Sequence, residues 1–111
     1  MHSKELTSDL TEEEFNEIIN NSHKLVVVDF YAEWCMPCVM LSPVIEELAE
    51  SDSMKEVKFV KINVDDNQKL AGKYKVSSIP CLIVFQNGKE VDRIIGGQSS
   101  EVLEEKIMKH L

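Results

Sequence analysis

The segment Leu25-Val26-Val27-Val28-Asp29-Phe30-Tyr31-Ala32 is apolar on both of its alternations, with Asp29 as the exception. Successive strand residues point to opposite faces, so such a segment must be covered on both sides. It reads as the central strand of an α/β sheet flanked by helices on both faces. Asp29 is then costly: a carboxylate within a doubly covered strand loses its hydration unless it is paired or protonated, and burial raises its pKa.

Trp34-Cys35-Met36-Pro37-Cys38 follows directly, and Leu41, Val44, Ile45, Leu48 and Ala49 then recur at helical spacing. Two cysteines separated by two residues at a helix start can close a small disulfide ring or open to a dithiol. Cys35 is the expected attacking sulfur, because unpaired backbone N–H groups and the positive end of the helix dipole favour its thiolate. Cys38 lies one turn inward, placed to resolve a mixed disulfide. A purely structural bridge is implausible here, since closing so short a loop removes little unfolded-chain entropy. Pro37 is tolerable in the first turn, whereas Pro43 is interior and should kink the helix.

The remaining signals surround this core. Lys4 to Ser8 is a candidate first strand. Thr11 and Glu14 make a capping box, with Leu10 and Phe15 as a hydrophobic staple, and Phe15, Ile18 and Ile19 mark one helical face. Asn20 to His23 reads as the exit loop. Val57 to Val64 reads as a strand, and Asp65-Asp66-Asn67 as a capping cluster for a short helix carrying Leu70 and Tyr74. Ser77 to Pro80 is a loop. Strands over Cys81 to Phe85 and Glu90 to Ile95 flank Asn87-Gly88, the residue pair favoured in a type I′ hairpin. A last helix from Ser100 turns Leu103, Ile107 and Leu111 inward, with Lys106, Lys109 and His110 at its negative end. The resulting order, βαβαβαββα, predicts one mixed sheet and a single domain over residues 1–111.

Charge and composition exclude other classes. With 12 basic and 20 acidic residues the net charge is −8, so nucleic acid is not an expected partner. No apolar run approaches the roughly 20 residues needed to span a bilayer, and Met1 to Asp9 lacks an apolar signal-peptide core. No membrane association and a cytoplasmic location are expected. The three cysteines fit catalytic or metal-binding thiols better than a disulfide framework. The chain has no Gly-rich dinucleotide fingerprint.

Val28-Asp29-Phe30-Tyr31-Ala32-Glu33-Trp34-Cys35 with Pro37-Cys38, Pro43, Lys61, Asn63, Asp65, Ile79-Pro80, Asn87-Gly88 and Gly96 stand in the order and spacing of the thioredoxin family, which the chain resembles over almost its whole length. The resemblance implies a thioredoxin fold and a thiol–disulfide oxidoreductase that reduces protein disulfides. It implies Cys35 as nucleophile, Cys38 as resolving thiol, Asp29 as proton acceptor or donor for Cys38, and Lys61 as the charged neighbour of Asp29. It implies a cis peptide before Pro80, an Ile79 backbone able to pair with an extended substrate, Trp34 beside the site, and Gly88 and Gly96 at turn and groove positions. Met36 and Pro37 belong to the same substrate-facing set. No cofactor beyond the Cys35–Cys38 pair and no metal are expected. The implied partners are a thioredoxin reductase or equivalent electron donor and disulfide-containing proteins, and the chain is expected to be a monomer.

Two departures stand out. Met36 replaces the glycine usual in the family and adds flexible apolar surface beside the nucleophile. Cys81 follows Pro80 where threonine is common; a small buried core residue is the expected reading, and a third redox or metal-ligating thiol is the competing one. The competing functions are accordingly a metal-binding domain using Cys35, Cys38 and Cys81, and a redox-inert module binding partners through the Pro80 groove. His2, His23 and His110 lie outside every motif.

Overall fold

The computed structural model describes residues 3–6, 10–20 and 25–111. Its elements are β1 (Ser3–Leu6), α1 (Glu12–Ile19), β2 (Leu25–Tyr31), α2 (Met36–Ala49), a 3-10 turn at Asp52–Met54, β3 (Val57–Asn63), α3 (Gln68–Lys73), β4 (Cys81–Gln86), β5 (Lys89–Ile95) and α4 (Ser100–Met108). The sheet runs β1-β3-β2-β4-β5. β1 and β2 pair with β3 in parallel, while β4 runs antiparallel to both β2 and β5. This is the mixed sheet expected from the sequence, with β2 in the middle.

The doubly apolar run is explained by the two layers it touches. Leu25 and Val27 pack with Leu41, Ile45 and Leu48 of α2 and Leu103 and Ile107 of α4. Val26, Val28 and Phe30 pack with Phe15 and Ile19 of α1 and Leu70 of α3. Strand parity thus turns Asp29 toward the α2/α4 layer and Phe30 toward the α1/α3 layer. Phe15 anchors the second layer, its ring 5.3 Å from that of Tyr74 and 5.7 Å from that of Phe85. Burying a phenylalanine or leucine in such a layer contributes about 1.5–3 kcal/mol.

Local signals end the elements where expected, with instructive exceptions. Thr11 and Glu14 form the reciprocal capping box of α1. Asn87 and Gly88 take φ values of 53° and 79°, and Gln86 pairs with Lys89 across a two-residue hairpin. α2 continues through Pro43 to Ala49. The first strand is Ser3–Leu6; residues 7 and 8 of the expected Lys4–Ser8 strand, and residues 21–23 of the exit loop, lie outside the described residues. Leu111 does not turn inward: α4 ends at Met108, and Leu111 lies beyond it, exposed. His110 is not free on the surface, since its Nε2 lies 2.9 Å from Asp92 Oδ2 and ties the C-terminus to β5.

Candidate active site

At the end of β2 the chain turns through Glu33 and Trp34, and Cys35 becomes the N-cap of α2, with φ −93° and ψ 107°. Its sulfur takes the place of the usual capping oxygen: the Cys38 backbone N–H donates to Cys35 Sγ at 3.3 Å. The Cys35 and Cys38 sulfurs lie at disulfide distance, with Cα atoms 5.3 Å apart. Residue exposure does not separate the two in this bridged state, at 6% for Cys35 and 4% for Cys38. Helix position does. On reduction, a thiolate on Cys35 keeps the Cys38 N–H and the positive helix end, whereas Cys38 is inside the first turn.

Both sulfurs pack with Tyr31 and Ala32, against Val64 and Ile79. The Ile79–Pro80 peptide is cis, and Cys35 Sγ is 3.9 Å from the Ile79 carbonyl oxygen. Gly96 closes this side, its N–H donating to Pro80 O at 2.9 Å with φ +87°. A Cβ there would meet nothing within 4 Å, so the positive φ rather than crowding favours glycine. Trp34 and Met36 flank the dithiol, 73% and 65% exposed. The Trp34 indole N–H donates to Asp65 Oδ2 at 2.9 Å. Met36 and Pro37 begin an apolar groove of about 670 Å³, continued by Met40, Val44, Gly97 and Val102.

Behind the dithiol, Asp29 is 2% exposed and its Oδ1 has no hydrogen-bond partner among the described residues. Burial pushes its pKa from 3.8 up to about 7, against an opposing pull from the Lys61 charge. Parallel register sets Lys61 opposite Asp29. The Lys61 ammonium, however, donates to Ser42 Oγ at 3.0 Å and stands 4.6 Å from the centroid of the Tyr31 ring. Cys38, Ser42, Pro43, Tyr31 and Lys61 line one cleft of about 550 Å³.

Cys81 pairs with Phe30 and packs in the α1/α3 layer with Ile83 and Phe85. It is 1% exposed, and burial pushes its thiol pKa up. That is the packing residue expected. Asn67 is the correction among the capping residues. It occupies the N-cap of α3 without a side-chain capping bond; its Oδ1 accepts from Leu10 N–H at 2.7 Å and its Nδ2 donates to Asn63 O at 3.0 Å. Asp65 likewise serves Trp34 rather than the helix. Sequence reasoning missed both Asp65 and Ser42 as parts of the site. Ser42 carried a usable signal, since it lies four residues after Cys38 and so on the same helix face.

The family model that matches the chain is Thioredoxin, over residues 6–109. A thioredoxin of Staphylococcus epidermidis is 46% identical over 102 residues, covering 92% of this chain and 95% of its own. Among solved structures, Fasciola hepatica thioredoxin superposes with a TM-score of 0.83 at 38% identity, covering 97% of this chain and 99% of its own. A chain from a study of the thiol resolving mechanism of yeast mitochondrial 1-Cys peroxiredoxin via glutathione and thioredoxin systems has a TM-score of 0.82 at 30% identity, covering 96% and 93%. With the Cys35–Cys38 pair at the head of α2 and the sheet order described, the chain belongs to the thioredoxin family of thiol–disulfide oxidoreductases.

Proposed function

We propose that this chain acts as a reductant of protein disulfides, with Cys35 as nucleophile, Cys38 as resolving thiol and Asp29 as the base that takes the Cys38 proton. The observation that carries this reading is the Cys35–Cys38 pair at the head of α2 with a buried carboxyl, its pKa raised to about 7, on the strand that leads into it. The Cys35 thiolate attacks one sulfur of a substrate disulfide, forming a mixed disulfide and releasing a substrate thiolate. Asp29 accepts the Cys38 proton, and the Cys38 thiolate attacks Cys35 Sγ. The second substrate thiolate leaves, and two electrons have passed to the substrate as the Cys35–Cys38 disulfide forms.

In this reading Ile79 and Pro80 present backbone to an extended substrate segment, with Gly96 beside them and Trp34, Met36 and Pro37 offering apolar contact. Lys61 moderates the charge of Asp29. A separate reductase recycles the disulfide, and the chain works as a monomer in a reducing, cytoplasmic compartment. A peroxiredoxin is one kind of substrate, by similarity to the chain from the study of thiol resolution in yeast mitochondrial 1-Cys peroxiredoxin. Cys38→Ser tests the order of events. It should accumulate a covalent complex between Cys35 and a disulfide substrate, stable to denaturation and released by dithiothreitol. A Cys35→Ser variant that still reduces insulin disulfides would overturn the assignment.

A further inference from the structure

The cleft beside Cys38 contains an arrangement that register alone does not explain. Lys61 sits directly across from Asp29 in the parallel β2–β3 ladder. An ammonium in that position has a buried carboxyl oxygen in need of a partner, yet among the described residues Asp29 Oδ1 is left without one. The Lys61 Nζ is held instead by the Ser42 hydroxyl at 3.0 Å and by the face of Tyr31 at 4.6 Å. Ser42 reaches it because it stands one turn after Cys38 on α2, facing the same cleft.

We propose that Ser42 is a positioning residue: its hydroxyl holds the Lys61 ammonium away from Asp29, and this separation keeps the carboxyl suited to accept the Cys38 proton. The proposal rests on Asp29 being that base. The physical reason is one of competition. An ammonium has three donors and is flexible, so removing one acceptor frees it to turn toward the remaining buried oxygen. A cation pressed onto Asp29 favours the carboxylate, which weakens it as a base for a thiol near neutral pH.

Among the described residues, the charge that acts on Asp29 is that of Lys61 from β3. Lys61 shares the adjoining cleft with Tyr31 of β2, Glu33, and Cys38 and Ser42 of α2. On β4 the paired neighbour of Asp29 is the uncharged Leu82, the thiol of Cys81 senses the Asp29 charge from the other layer, and α4 presents Leu103 and Ile107. Of these, Lys61 alone is cationic, so a displaced Lys61 is the natural source of any downward movement in the Asp29 titration.

The test is the titration of the Asp29 carboxyl followed by 13C NMR in the reduced protein, alongside the pH profile of mixed-disulfide resolution. Ser42→Ala should move the Asp29 midpoint down by about one pH unit, and Ser42→Thr, which keeps the hydroxyl, should restore it. Lys61→Gln should move it up, and adding Ser42→Ala to Lys61→Gln should then change nothing further. An unmoved or raised midpoint in Ser42→Ala, or an equal shift in the Lys61→Gln background, overturns the proposal. If the carboxyl titration moves as expected while the rate profile stays in place, the positioning by Ser42 is upheld and Asp29 is overturned as the base.

Discussion

Asp29 should make this protein less stable as the pH rises, and its removal should abolish that contribution. A carboxyl whose pKa stands at about 7 when folded and at 3.8 when exposed binds its proton more tightly in the native state. Stability from this group is fully present below pH 3.8 and is lost as the pH rises through about 7. At about 1.36 kcal/mol per unit, a gap of about three units comes to about 4 kcal/mol once both states are ionised. At pH 5 the unfolded carboxyl is ionised and the native one is not, so about 1.6 kcal/mol of that loss has accrued; at pH 8 it is nearly complete. Asp29→Ala leaves a small cavity whose cost does not depend on pH. The stability of Asp29→Ala relative to the parent should therefore improve by about 2.5 kcal/mol between pH 5 and pH 8. In urea unfolding of the disulfide form this is a relative midpoint change of about 1–2 M. Asp29→Asn, which is closer in shape, should show the same pH dependence. A constant offset between parent and both variants across this range would refute the argument, because it would mean that Asp29 titrates alike in the folded and unfolded chain.

Three further outcomes follow from the geometry. Cys81, sealed in the α1/α3 layer, should resist iodoacetamide in the native reduced protein while Cys35 is labelled; labelling of both at one rate would place Cys81 outside the core. Gly88→Ala places a Cβ at φ +79° against the Asn20 side chain and should destabilise by about 1–2 kcal/mol in urea unfolding, whereas an unchanged midpoint would contradict the hairpin geometry. Met36→Gly should raise KM for protein disulfides severalfold with kcat nearly unchanged, since it removes exposed apolar surface at the head of the α2/α4 groove; a loss confined to kcat would instead put Met36 in the chemical step.

Two of the corrections have a common form. Asn67 sits at the cap position that its sequence suggests, yet its side chain is spent on Leu10 and Asn63, which come from other parts of the chain. Leu111 continues a helical spacing beyond the point where α4 ends. His110 carries no motif but meets Asp92 because α4 finishes alongside β5. For Asn67 and His110 the side chain's role is decided by neighbours brought in from elsewhere in the chain, which a pattern read along the sequence does not contain.

What the residue order alone determined are the features set by near neighbours. The central strand follows from a run apolar on both alternations, the α1 start from Thr11 and Glu14, the hairpin from Asn87-Gly88, and the dithiol from two cysteines at a helix start. Each depends on contacts within a few residues, where backbone geometry leaves few alternatives. Folding alone decided that Lys61 would bind Ser42 instead of Asp29, that Trp34 would meet Asp65, and that Cys81 would face away from Asp29 into the layer of α1 and α3. Those outcomes depend on strand register and helix placement, which bring together side chains far apart in sequence, and on burial, which a list of residues does not contain.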